Sequence, residues 1–113
     1  MITYWHNPRC SKSRAGLKLL EDRGVETSLR LYLKEPPSVD ELLAVQSALG
    51  VPALQMMRRG EAVFRELGLH TDTPEDTLLQ AMAEHPILIE RPIAIKGAKA
   101  VIGRPTEALE ALL

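Results

Sequence analysis

A chain of 113 residues is long enough to bury one core without staples, and we expect a single domain over residues 1–113. A net charge of −1 argues against nucleic acid or an anionic membrane as partner, so any attraction for anions has to be local. No apolar run approaches the roughly 20 residues of a membrane span, Met1–Cys10 lacks the basic start and apolar stretch of an export signal, and one cysteine with three histidines shows no metal-ligand spacing, so the expectation is a cytoplasmic protein with a free thiol and no bound metal or cofactor.

Ile2–Trp5 is short, apolar and rich in strand formers, and it stops at Asn7-Pro8. From Ser11 the pattern turns helical: Gly16, Leu17, Leu19 and Leu20 supply an apolar stripe, and Gly24 closes it. Leu29, Leu31 and Leu33 then alternate with Ser28, Arg30 and Tyr32, the period of a half-buried strand, which Pro36-Pro37 ends. The interval between these strands fits one helical crossover, so the pair is expected to be parallel.

Ser38 and Glu41 form a capping box ahead of Leu42, Leu43 and Leu49, with Gly50 at the end. Short helices are expected over Ala53–Arg58 and Glu61–Leu67, then a longer one started by Thr73-Pro74 and ended by Pro86. Ile87–Ile89, Ile93–Ile95 and Ala100–Ile102 are short apolar runs, with Gly97 as a hairpin turn, and Pro105 opens a last helix carrying Leu109, Leu112 and Leu113. The order is β-α-β, a helical insertion at about 38–68, α, then β-β-α, the outline of an α/β thioredoxin-like fold.

The densest chemistry lies in His6-Asn7-Pro8-Arg9-Cys10-Ser11-Lys12-Ser13-Arg14. A cysteine where a strand ends and a helix begins faces unpaired backbone N–H groups and the positive end of the helix dipole. Both favour the thiolate over the free thiol of pKa about 8.5, and Arg9, Lys12 and Arg14 push the same way. The same N–H groups suit an oxyanion. A lone cysteine is more often a buried structural residue, but the surrounding charge argues against a dry apolar site. Ser13 stands where a dithiol motif would have its second cysteine, so any disulfide has to be made with another molecule. Gly16 stands where the phosphatase loop needs arginine.

His6 has two readings, a tuner of the thiolate or a strand-end histidine satisfied by backbone. Ser13 either donates to the thiolate or caps and packs. Arg91-Pro92 and Arg104-Pro105 present arginines, whose planar fork matches two oxygens of a tetrahedral anion; Arg58 and Arg59 offer a third. Any one of these arginines, taken alone, reads more readily as a solvated surface charge; as a group at loop ends around one thiolate they carry more weight. By analogy with thioredoxin-like sheets, an X-Pro bond ahead of a strand is a candidate for the cis form beside the cysteine.

Five stretches taken together, Tyr4–Arg14 (YWHNPRCSKSR), Leu31–Leu42 (LYLKEPPSVDEL), Met56–Arg59 (MMRR), His85–Ile93 (HPILIERPI) and Ile102–Leu109 (IGRPTEAL), resemble the glutaredoxin-dependent arsenate reductases over essentially the whole chain. The Pro-Arg-Cys-Ser-Lys-Ser-Arg version is closer to the chromosomal, arsenate-reductase-like branch. The resemblance implies a thioredoxin-like fold with a helical insertion and a catalytic cysteine at Cys10. It implies oxyanion-binding arginines at Arg58, Arg91 and Arg104, with Arg59 outside the set, and it places thiolate-tuning groups at His6 and Ser13, to which the local charge adds Arg14. The implied partners are arsenate or a similar oxyanion, glutathione as co-substrate, and glutaredoxin. The implied reaction runs through an arseno-cysteine that glutathione attacks. Two other readings stand beside it: another thiol-dependent oxidoreductase on the same site, or a non-catalytic regulator of the same fold, for which an arginine cage has no use.

Overall fold

The computed structural model describes residues 1–113. Its chain divides into two compact units, Met1–Glu35 with Arg91–Leu113, and Pro36–Glu90.

The first unit is built on a four-stranded sheet. Strand β1 (Ile2–Trp5) leads into helix α1 (Ser11–Asp22) and then strand β2 (Thr27–Arg30), and strands β3 (Ile93–Lys96) and β4 (Lys99–Ile102) complete it. The order across the sheet is β2-β1-β3-β4. β1 and β2 are parallel, with Ile2 opposite Thr27 and Trp5 opposite Arg30. β3 runs antiparallel to β1, Trp5 opposite Ile93, and β4 antiparallel to β3. The β3-β4 turn depends on Gly97, whose φ of +61° is a conformation that a side chain disfavours. This is the thioredoxin-like arrangement. Ile2, Tyr4, Leu20, Ala94, Leu109 and Leu112 form one buried cluster, so the sheet face, α1 and the C-terminal turn share a core.

Two glycines let that core close. A Cβ on Gly16 would overlap the Tyr4 hydroxyl and lie 2.9 Å from Leu109 Cδ1. A Cβ on Gly103 would lie 2.8 Å from Pro92 Cγ. Both serve as space for a neighbour rather than as turns.

The period-two reading of Leu29, Leu31 and Leu33 is corrected. β2 ends at Arg30; Leu29 is 51% and Leu33 40% exposed, while Tyr32 is 1% exposed. The backbone turns after Leu31, whose carbonyl accepts from the N–H groups of Lys34 and Glu35. Tyr32 then stacks on Trp5, centroids 6.4 Å apart. As the sheet's edge, β2 has a single partner, and a large aromatic outweighs a leucine pattern there. The last helix is also tighter than expected, a 3₁₀ segment over Thr106–Leu112.

The second unit is helical: α2 (Val39–Leu49), a 3₁₀ turn (Ala53–Met56), α3 (Ala62–Glu66), α4 (Glu75–Glu84) and a 3₁₀ turn (Pro86–Leu88). The stretch 38–68 lies wholly within it, and α4 joins the same unit. α2 and α4 pack together, burying Leu42, Val45, Leu78 and Met82. Glu75 ties them, accepting from Gln46 Nε2 at 2.9 Å and from the Ala53 N–H at 3.0 Å. Ile87–Ile89, read as a strand-like run, is the 3₁₀ turn plus a single bridge between Ile89 and Met57. Thr73 is not the cap of α4: Pro74 holds that position, and the Thr73 hydroxyl accepts from the His70 N–H at 2.9 Å.

Candidate functional site

Cys10 occupies the N-cap of α1, with extended backbone and no side-chain cap hydrogen bond. No acidic residue follows in the first turn. The N–H groups of that turn therefore lack the carboxylate that usually answers the dipole. They act on the sulfur instead: the backbone N–H groups of Ser13 and Lys12 favour the Cys10 thiolate, as does the Arg91 side chain.

Burial alone pushes the Cys10 thiol up, because the sulfur is largely out of water. The Ser13 N–H, the Arg91 guanidinium, the Lys12 N–H and the charge of Arg91 pull the other way, and they win: the thiol is held below its ordinary value. Of the neighbours on the cysteine's own loop and helix, Arg9 and Lys12 are exposed. The decisive cation is Arg91, 81 residues away in sequence and delivered by the loop ahead of β3.

Ser13 reaches the sulfur through its backbone. Its hydroxyl, wholly buried, lies 2.7 Å from His6 Nδ1 and accepts from the Asn7 N–H at 3.0 Å. The imidazole and the hydroxyl share one hydrogen, on Nδ1 or on the hydroxyl according to the tautomer. His6, 6% exposed, is held below its ordinary pKa, first by burial and then by the charge of Arg14. Arg14 is exposed and donates to the Pro8 carbonyl at 2.8 Å, pinning the loop before the cysteine. Arg9 N–H donates to Asn7 Oδ1 at 3.1 Å, the turn-forming contact expected of an asparagine there.

The Arg91-Pro92 and Arg104-Pro105 bonds are both cis. Arg104 Nε donates to the Arg91 carbonyl at 2.9 Å, so the two arginine loops are joined. The first unit thus brings together Cys10, His6, Ser13, Arg14, Arg91 and Arg104. Arg58 belongs to the second unit, where its guanidinium pairs with Glu61 at 2.9 Å and its N–H donates to the Leu88 carbonyl at 2.7 Å. Arg59 beside it is exposed. No group of three or more His, Cys, Asp or Glu side chains is placed to hold a metal ion.

Sequence reasoning missed Tyr4. Its buried hydroxyl donates to the Ser13 carbonyl at 2.7 Å, and its ring lies 5.6 Å from that of His6. The alternation of β1, which sends Tyr4 and His6 to one face, was the available signal.

A chain of this architecture has close counterparts. An arsenate reductase of Neisseria meningitidis serogroup A is 46% identical, over 99% of this chain and 97% of that protein. An arsenate reductase of Escherichia coli is 38% identical, over 96% of this chain and 77% of its own length. The structure of an arsenate reductase from Vibrio cholerae superposes with a TM-score of 0.96 at 43% identity, covering 99% of this chain and 97% of that one. The ArsC family profile matches residues 5–112, and the chain belongs to the ArsC family.

Proposed function

We propose that this protein is an arsenate reductase in which Cys10 is the nucleophile, Arg58, Arg91 and Arg104 bind the oxyanion, and His6, Ser13 and Arg14 shape the thiolate. One observation supports this most: the sulfur faces two helix N–H groups and the Arg91 guanidinium, which lower its pKa. A nucleophile held as thiolate and donors suited to an anion occupy one place. Arg58 is assigned on the family resemblance alone, since its ion pair with Glu61 has to give way to an oxyanion.

The Cys10 thiolate attacks arsenic, and an arsenate oxygen leaves as water to give a sulfur–arsenic(V) bond. No second cysteine exists in the chain, so the two electrons come from outside. A glutathione thiol adds to arsenic with loss of a second water. A glutaredoxin thiolate then attacks the glutathione sulfur; a disulfide forms, and the sulfur–arsenic pair stays on arsenic as arsenic(III). Hydrolysis of the remaining sulfur–arsenic(III) bond frees arsenite and regenerates Cys10. This chemistry requires a reducing compartment, which we take to be the cytoplasm.

An NADPH-coupled assay with glutathione, glutathione reductase and glutaredoxin tests the reading. Arsenate-dependent NADPH oxidation is expected, vanishing when either thiol component is omitted. Sustained turnover with thioredoxin alone would contradict the glutathione step, and no turnover with any thiol system would remove the reductase assignment.

A further inference from the structure

Every polar atom of Ser13 is committed to the site. Its N–H faces the Cys10 sulfur, its hydroxyl is held by His6 and Asn7, and its carbonyl accepts from the Tyr4 hydroxyl. His6 and Tyr4 both come from the β1 side of the sheet, two residues apart. Ser13 is therefore held by Tyr4 of β1 and by His6 just beyond its end, while its N–H serves the sulfur.

The grip by Tyr4 has features that packing alone does not require. The Tyr4 hydroxyl donates to the carbonyl of residue 13 inside the first turns of α1, a carbonyl that an α-helix otherwise offers only to the N–H four residues on. A hydroxyl fits there because position 16 has no side chain: a Cβ on Gly16 would overlap it. Tyr4 is 0% exposed, and burial first, with the charge of Cys10 adding to it, holds its hydroxyl above its ordinary pKa. A buried tyrosine needs a partner for its O–H, but a partner on the helix turn that serves the nucleophile, admitted by a glycine, couples strand and thiolate.

We propose that Tyr4 is a positioning residue: its hydroxyl, seated in the space left by Gly16, fixes the first turn of α1 so that the Ser13 and Lys12 N–H groups stay aimed at Cys10. The inference rests on Cys10 being the nucleophile, and its test reads the thiol directly, without arsenate, so the two can fail separately.

Tyr4→Phe keeps the ring and removes the hydroxyl. The measurement is the rate of Cys10 alkylation by iodoacetamide against pH, with thermal melts in parallel. In Tyr4→Phe the titration midpoint should rise by about half a unit to one unit, which slows alkylation about threefold to tenfold at a pH below both midpoints. Gly16→Ala, whose methyl takes the hydroxyl's place, should raise the midpoint as well. In the Y4F background the same change should move the midpoint less than it does in the unaltered protein, because the hydroxyl it displaces is gone while its contact with Leu109 remains in both. A folded Tyr4→Phe with a lower melting temperature and an unchanged midpoint would make Tyr4 a packing residue and overturn the proposal. Should Tyr4→Phe fail to fold, unaltered protein labelled with ¹³C at the tyrosine ring carbon bearing the hydroxyl decides. The Tyr4 resonance is expected to shift with the Cys10 titration, and a flat resonance would overturn the proposal.

Discussion

Helices α1 and α2 begin in opposite ways. α2 starts with a complete capping box: the Ser38 hydroxyl accepts from the Glu41 N–H, the Glu41 carboxylate accepts from the Ser38 N–H, each at 3.1 Å, and Asp40 and Glu41 stand in the first turn. Its dipole is answered by its own side chains. α1 starts with Cys10, no side-chain cap and no acid in the first turn; its N–H groups are answered by sulfur. A capping box gives a helix about a kilocalorie of stability. Forgoing it leaves the donors for an anion, so the two helix starts separate what stabilises from what reacts.

The comparison breaks most sharply at the sulfur itself. Cys10→Ser should abolish arsenate turnover, by at least about a thousandfold, with little change in the melting temperature. Retained turnover would mean that the bare helix start serves something other than a thiolate.

Next come the arginines that add charge at α1 and have no counterpart at α2. Arg91→Ala or Arg104→Ala should weaken kcat/KM by roughly 2 to 4 kcal/mol, the scale of a lost charge-assisted contact to a desolvated partner. Lysine should rescue partly, since it lacks the fork. Arg59→Ala should be nearly silent, and a larger effect there than in Arg58→Ala would undo the assignment of Arg58.

A smaller pair of changes exchanges the character of the two helix starts. Ser38→Ala should cost about 0.5 to 2 kcal/mol of stability by thermal melt and leave the Cys10 titration alone. Lys12→Glu puts an acid into the first turn of α1; it should raise the thiol midpoint by about half a unit to one unit. If Ser38→Ala moves the thiol and Lys12→Glu does not, the two starts are not the separate devices described.

The smallest effect is in pH. His6 has a folded pKa below its unfolded value of about 6.5. Its contribution to stability is therefore complete above that value and is lost as pH falls through the folded pKa. Protonation makes both ring nitrogens donors, so Nδ1 can then only donate to the Ser13 hydroxyl. Melting temperature should fall slightly below about pH 6.5, and His6→Gln should flatten that fall.

Much of this was legible in the chain. A cysteine after Asn-Pro and before a helical stripe, ringed by basic residues, pointed to the residue we propose as nucleophile, and Ser38 with Glu41 marked α2 down to its cap. What could not be read needed contacts across the fold. Gly16 looked like one member of an apolar stripe, because the tyrosine hydroxyl that needs its space comes from a strand 12 residues earlier. Ser13 had two readings, a donor to the thiolate or a residue that caps and packs, and the contacts of its hydroxyl with His6 and Asn7 come from the strand end, which the chain order does not show. Leu31 and Leu33 kept strand periodicity beyond the end of β2, where the chain turns and Tyr32 stacks on Trp5. Arg58 stands three residues from Glu61, a spacing that suits a helical ion pair, and a local partner of that kind does not mark an anion site.

The central claim is that the uncapped start of α1, with Arg91, holds Cys10 as a thiolate. Iodoacetamide alkylation of the wild-type protein against pH measures it directly. The account predicts a midpoint clearly below the free-cysteine value of about 8.5; a midpoint at or above that value would contradict it.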